Sequence, residues 1–336
     1  MVVIAMMASC KKNETNLPTP VVKLSEDISF SVKGATQEAQ PLHQPSEKHD
    51  FLGYGYDVTD RFNDQASIRA NVIDIPLYAA SGASRVNVSR GTEGSWTTFQ
   101  AKDAIALSEK FSNSIEATKG NKLFGSTIMH AFPETTAADK KYVYGYYSNY
   151  MIWKRYTIYY EQEVNSYLTA DFKRDITLLN AQELVNKYGT HVLTRIKIGS
   201  KFDVVYQAAA PGEDWNREAI SMEGLRYALK RTFGLMTGYL DDPNLKNLNA
   251  NSSAQIYYSS VGGNFNELKT ETINNRLILN LNNWRASTTE DKARFIGPED
   301  KGLEPLFKFI DDVAKKEQVK NYIQQYYANK AVKLQN

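Results

Sequence analysis

From Leu184 to Tyr206 the chain reads LVNKYGTHVLTRIKIGSKFDVVY. Val192, Thr194, Ile196, Ile198, Phe202, Val204 and Tyr206 recur at every second position, with Arg195, Lys197, Lys201 and Asp203 between them. Side chains alternate across a strand, so the pattern predicts one strand from Val192 to Tyr206. At about 3.3 Å per residue it would reach roughly 45 Å, more than twice the usual strand length. A second strand of that class is predicted over Tyr142–Tyr160, YVYGYYSNYMIWKRYTIYY. Neither of its faces is cleanly apolar, which points to a bulge or to burial that changes along its length. Phe51–Thr59 reads as a shorter first strand punctuated by Gly53 and Gly55, Ile68–Tyr78 as short β-like runs around Asp74 and Pro76, and Ser252–Val261 as a further strand ending at Gly262-Gly263. Gly82–Gly94 is polar and glycine-rich and reads as loop.

Elsewhere the period is helical. Ala104, Leu107, Phe111 and Ile115 step by three, four and four, which predicts a short amphipathic helix within Thr97–Thr118. Leu168–Leu179 and Ala181–Tyr188 read as two helices, the second capped by Asn180 and ended by Gly189. Over Glu218–Tyr239 the seam Met222, Leu225, Leu229, Phe233, Met236 predicts another, with Arg226, Lys230 and Arg231 facing water. Asp241–Asn251 reads as loop, and Asn275–Leu281 and Trp284 lead into closing helices at Pro305–Ile310 and Val313–Ala331. Two helical insertions thus occupy comparable places within strand pairs, which suggests a four-stranded sheet with a helical cluster at one end of each hairpin.

Composition changes this picture in two places. Forty basic residues against 38 acidic ones, a net charge of +2, argue against a nucleic-acid partner. The single cysteine rules out an internal disulfide, so packing must hold the fold. That residue, Cys10, ends MVVIAMMASC, an apolar run followed by Ala8-Ser9-Cys10 that looks like the end of a bacterial lipoprotein signal. The expectation is a signal remnant over 1–10, a lipidated Cys10 at the bacterial outer membrane or cell surface, and release or secretion as the other route. A proline-punctuated tether over 11–48 follows, with one edge strand at Val21–Leu24. No later stretch approaches the ~20 continuous apolar residues of a membrane helix.

Candidate chemistry is sparse. His191 draws notice, but His43, His49 and His130 form no paired ligand spacing with it, so a packed structural histidine is expected. The sequence has no nucleophile elbow, phosphate-binding loop or zinc-protease signature, so no catalytic residue, cofactor or metal site is assigned. The tyrosines of 142–160 could meet a glycan or lipid, with sheet packing or subunit contact the simpler use.

Tyr188-Gly189-Thr190-His191, then Val192, then six positions and Gly199-Ser200, resembles the signature of the membrane attack complex/perforin (MACPF) family. Val192 stands in place of the usual aromatic and Ser200 in place of the second glycine. Gly53-Tyr54-Gly55-Tyr56 is similar to the first core strand, Val261-Gly262-Gly263 to the end of the fourth, and Trp284-Arg285-Ala286-Ser287 to the tryptophan segment after the sheet. In this order the matches span residues 50–331 and resemble a bacterial, Bacteroides-like lipoprotein member.

The resemblance implies an α+β fold in one domain, 49–331, with 332–336 as a tail. Its core would be a bent four-stranded antiparallel sheet flanked by helical clusters at about 97–140 and 208–252. Tyr188, Gly189, Thr190, His191, Gly199, Gly262, Gly263 and Trp284 would be structural signature residues. It further implies that monomers join in an arc or ring on a target-cell lipid or surface receptor and that both clusters unfurl into transmembrane hairpins. Recognition would lie on the core, on a partner, or on chain beyond Asn336.

The insertions support that action unevenly. Opened as a strand, 221–239 has one fairly apolar side, Leu225, Tyr227, Leu229, Phe233 and Leu235, interrupted by Arg231, while 101–118 has no convincing lipid face. The alternative expectation is a non-lytic surface adhesion or binding module on the same scaffold.

Overall fold

The computed structural model describes residues 30–35, 41–159, 162–212, 214–235, 244–273 and 276–335. Cys10, the proposed edge strand at Val21–Leu24 and Met236–Tyr239 lie outside the described residues.

Strand β1 (Phe30–Gly34) precedes the short β2 (Tyr54–Tyr56) and β3 (Ile68–Asn71). The run through Asp74 and Pro76 then becomes a helix, α1 (Ile75–Ala80), because Asp74 accepts from the Leu77 N–H and the proline sits in the first turn, where no N–H is needed. Strand β4 (Val86–Ala101) leads to α2 (Ala104–Asn113) and α3 (Ser126–Ala131), then to β5 (Tyr142–Ile158). Helices α4 (Ala170–Leu178) and α5 (Ala181–Tyr188) follow. Asn180 and Glu183 form a reciprocal capping box on α5, and Gly189 closes it at φ 75°, where a Cβ would be strained. Next come β6 (His191–Leu193), β7 (Arg195–Ala209), α6 (Arg217–Phe233), α7 (Leu245–Asn249) and β8 (Ser252–Val261). The chain ends through β9 (Lys269–Ile273), β10 (Arg276–Asn280), α8 (Asn282–Ala286), β11 (Arg294–Pro298), β12 (Leu303–Pro305) and α9 (Val313–Lys330).

The main sheet has six strands in the order β1-β8-β7-β5-β4, with β11 also paired to β7. The four central strands are antiparallel, as expected for the family core, but the sheet as a whole is mixed, because β1 runs parallel to β8. β11 takes the side of β7 that β8 has left: β8 ends at Val261 opposite Lys201, and β11 pairs from Gly199 to Ile196. Register shifts fall at Arg90/Glu93 in β4, Ile152/Lys154 in β5 and Phe295/Gly297 in β11, at the level of Gly199 in β7. Aligned bulges of this kind bend a sheet.

Four expectations need correcting. The single strand expected over Val192–Tyr206 is two, because Thr194 breaks the run: β6 joins a separate four-stranded sheet, β12-β6-β2-β3, and β7 joins the main one. Gly53–Tyr56, taken as like the first core strand, lies in that smaller sheet; the first of the four antiparallel core strands is β4. Most of β4 comes from the segment expected to be loop. Its residues 87–94 are exposed on both faces, so no apolar alternation marks them, and the ladder with β5 holds them in the sheet. Finally, part of the expected loop 241–251 is the helix α7, capped by Asn244.

The two faces of the main sheet carry separate cores. On one, Phe99, Tyr146 and Val205 pack with Ala104, Leu107 and Phe111 of α2. On the other, Tyr147, Phe202, Val204, Tyr206 and Ile256 pack with Ile220, Leu225, Ala228, Leu229 and Phe233 of α6. Each fully buried Leu, Ile or Phe contributes about 2 kcal/mol, so both insertions are held chiefly by apolar burial.

Candidate functional site

The two insertions leave and re-enter the sheet at one end. Ala101 of β4 pairs with Tyr144 of β5, Tyr142 with Ala209 of β7, and Ala209 with Ser252 of β8, so residues 102–141 and 210–251 emerge side by side. At this end Arg217 is 8% exposed. Asn216, the N-cap of α6, fixes the helix start by accepting from the Ala219 N–H, which places Arg217 in the first turn with its guanidinium turned inward. The guanidinium donates to five backbone carbonyls: Lys102 (3.1 Å), Lys140 (2.7 Å), Tyr142 (3.0 Å), Ala210 (3.2 Å) and Pro211. One cation thereby satisfies carbonyls of both insertions, and its planar fork suits a task that a lysine point charge could not share among five acceptors.

Further contacts seat each insertion. On α6, Ser221 Oγ donates to the Tyr144 carbonyl, and Leu225 covers Gly145. Gly224 lies against Tyr206, whose hydroxyl donates to Asn251 Oδ1 at 2.8 Å, while Asn251 Nδ2 donates to the Ile220 carbonyl at 3.1 Å. In the first insertion Asp103 caps α2, Thr135 Oγ1 donates to Gln207 Oε1 at 3.0 Å, and His130 Nε2 meets the Tyr257 hydroxyl at 3.1 Å. Lys110 donates to the Gln100 carbonyl and pairs with Glu218, joining the two insertions directly. The tail crosses the first insertion: the Val332 N–H donates to the Lys122 carbonyl and the Gln335 N–H to that of Ala138.

The eight signature residues form two groups. In the first, Tyr188 donates to Asp175 Oδ2 at 2.8 Å, Gly189 lies against the Tyr56 backbone, and Thr190 Oγ1 donates to the Tyr56 carbonyl at 3.3 Å while accepting from the Val58 N–H at 3.2 Å. His191 is buried beside Thr190, its Nδ1 3.0 Å from Oγ1, and its ring is stacked 6.5 Å from that of Tyr327. Burial, reinforced by Lys308, pushes the His191 pKa down to about 3, so the imidazole is neutral and packed. In the second group a Cβ on Gly199 would meet the Met151 carbonyl oxygen at 1.9 Å, Gly262 lies over the Gly199 carbonyl, Gly263 lies beside Trp284, and Trp284 Nε1 donates to the Gly262 carbonyl at 3.0 Å. The first group thus ties the start of β6 to β2 and α4, the second ties β7 to β5 and to the end of β8, and both stand apart from the insertion seam. Of the expected solvent-facing residues on α6, Arg231 is exposed, whereas Arg226 and Lys230 are half-buried.

Sequence reasoning missed Arg217, Asn251 and Asp175. An arginine in a helix's first turn carries no periodic signal of burial, and an asparagine at a loop end looks like any turn residue. Among the described residues no group of three or more His, Cys, Asp or Glu could hold a metal, and no helix is long and apolar enough to cross a membrane.

The sequence pattern of the MAC/Perforin domain matches residues 45–335. No curated protein matches the chain. Among solved structures, a MAC/Perforin-domain protein from Bacteroides thetaiotaomicron VPI-5482 superposes with a TM-score of 0.66 at 16% identity, over 88% of this chain and 64% of that one. GNIP1Aa from Chromobacterium piscinae superposes with a TM-score of 0.64 at 14% identity, over 84% of this chain and 56% of that one. The chain therefore spans less than two thirds of the length of these structures, and at such identities the likeness is one of fold.

Proposed function

Because this chain belongs to the MAC/Perforin family, a non-enzymatic one, we propose that it assembles on the membranes of other cells and permeabilises them by unfurling residues 102–141 and 210–251 into hairpins. One observation carries the reading: both insertions emerge from adjacent antiparallel strands at the same sheet end. Extending the existing ladders would carry four strands past that end without repairing any strand within the sheet. Each insertion holds about forty residues, or roughly twenty per arm, against the ~9–11 a membrane strand needs. In lipid every backbone polar group must be paired, so the hairpins require neighbours and a closed barrel. We propose further that Cys10 carries a lipid that holds the protein at the bacterial surface before release or contact. A non-lytic adhesion module is the reading to which failure of the test would lead.

Disulfide locks test the mechanism in a Cys10→Ser background. A Cβ on Gly125 would lie 4.0 Å from the Val332 Cβ, within the span of a disulfide, and one on Gly145 would lie 3.2 Å from the Leu225 Cβ, a few tenths of an ångström inside it, so Gly125→Cys/Val332→Cys and, after a small shift of α6, Gly145→Cys/Leu225→Cys can be bridged. Each oxidised variant is expected to lose dye release from liposomes and to regain it with reductant, while rings or arcs form on the lipid. Release unaffected by both locks would refute unfurling. Absence of leakage and of assemblies across lipids that include those of target cells would refute the lytic reading.

A further inference from the structure

Apart from the insertion seam, a cavity of about 180 Å³ lies on the face of the sheet that carries α2. It is lined by Thr97 of β4, Ser148 and Tyr150 of β5, Lys197 and Lys201 of β7, Asn63, and Ser114 just past α2. Cross-strand partners share a face, and the register aligns Thr97, Ser148 and Asp203 in one row and Tyr150 and Lys201 in the next. A polar strip therefore interrupts the apolar face beside Phe99, Tyr146 and Val205.

The two lysines differ. Lys201 is 3% exposed and compensated: its Nζ donates to the Asn63 carbonyl at 2.7 Å and pairs with Asp203 Oδ2 at 2.6 Å, while Tyr146 donates to the other Asp203 oxygen at 3.1 Å. The Lys197 ammonium, among the described residues, makes no hydrogen bond or ion pair; it lies 6.0 Å over the Tyr150 ring. Burial pushes its pKa down; Glu299 opposes this, although Glu299 accepts from Arg155 at 2.8 Å, and Arg155 and Lys201 add to the fall. Lys197 is half-buried, and an ammonium without an acceptor there would gain one from a bound anion. The Asn63 Oδ1, also buried without a partner, calls for a donor. Asp203 disfavours a dianion such as a phosphate monoester. What fits is a monoanion that also bears hydroxyls. At about 30 Å³ per water the volume corresponds to roughly six waters, the scale of a single sugar ring.

We propose that this cavity binds a small hydroxycarboxylate of the sugar-acid class, its carboxylate on Lys197 and its hydroxyls among Asn63, Thr97 and Ser148. The site goes beyond the membrane role and does not depend on it, since binding is read on the soluble full chain without any lipid.

Calorimetric titration of glucuronate and N-acetylneuraminate into the full chain at neutral pH and low salt, with glucose, acetate and inorganic phosphate as comparators, tests it. One of the sugar acids is expected to bind saturably at one site, at least about tenfold more tightly than glucose, which lacks the charge-assisted hydrogen bond, and more tightly than acetate and phosphate, which lack the sugar hydroxyls. Lys197→Met is expected to weaken binding at least about tenfold, whereas Lys119→Met, on the exposed surface, leaves it unchanged. On the unmodified protein, the sugar acid is expected to slow acetylation of Lys197 followed by mass spectrometry, a readout that needs no variant to fold. Absence of saturable binding, equal binding by acetate, phosphate or glucose, equal affinity in folded Lys197→Met, or unprotected Lys197 would each overturn the proposal.

Discussion

Arg217 gathers partly buried carbonyls from the ends of β4, β5 and β7, so its loss would deprive several of them of a donor at once. Arg217→Met is expected to cost about 3 kcal/mol or more, read as a lower urea midpoint, with proteolysis opening first within 102–141 and 210–251. Arg217→Lys should recover only part of this, because it keeps the charge but not the fork. Asp175 makes a pH-dependent contribution at the base of the signature helix. Hydrogen bonds from Lys187, then Tyr188 and Arg174, hold its carboxyl down to about 2. The folded state therefore binds this proton more weakly than the unfolded chain does. The stabilisation is fully present above the ordinary carboxylate value, about 4, and is lost as pH falls toward 2. Relative to Asp175→Asn, the unmodified protein should show its full advantage in urea unfolding at a pH of about 5 and progressively less as acid is added. Neither residue was legible from pattern alone: the burial of Arg217 and the company of Asp175 come from partners far away in the chain.

At the scale of elements, α5 was readable to the residue because its cap, its seam and its terminating glycine are local and agree. β4 was not, because a strand wet on both faces has no apolar period and depends on its neighbour's backbone. Helix α6 lies between these cases. Its seam of Leu225, Leu229 and Phe233 is periodic, but its seat depends on Gly224, where a Cβ would come within 2.2 Å of the Tyr206 hydroxyl oxygen and 2.5 Å of Asn251 Oδ1. Gly224→Ala is therefore expected to lift α6 and break the Tyr206–Asn251 bond, at a cost of about 1–3 kcal/mol. Hydrogen exchange should quicken in α6 and α7 while the β4–β5 ladder keeps its protection.

At the scale of the whole molecule, two layers of insertion clasp one sheet, and their retention is not symmetric. The second insertion is held by its own apolar helix, whereas the first is also crossed by the tail through Val332 and Gln335. Deleting residues 332–336 is expected to expose 122–138 to limited proteolysis while 217–233 stays resistant. If the proposed membrane action holds, it should also lower the protein concentration needed for half-maximal dye release. The sheet's two long edges differ too, since β1 covers β8 whereas, among the described residues, no strand lies beyond β4, whose residues 87–94 are exposed. An assembly that grows by strand pairing has the β4 edge ready-made.

The sequence by itself determined the elements whose causes are local: the period-two core of β7, the tyrosine-rich β5, the capped α5, and the apolar seams that mark two helices as parts of insertions. It also carried the family resemblance, through the Tyr188–His191 run and the glycines at 199, 262 and 263. Only the tertiary structure decided that β6 and β7 belong to different sheets, that the main sheet gains β1 and β11, that a polar 87–94 is strand, and that Arg217 and Lys201 are buried. The physical reason is the same in each case. Period and propensity report a residue's own backbone and face, whereas sheet membership and the burial of a charge depend on which distant carbonyls and carboxylates arrive beside it.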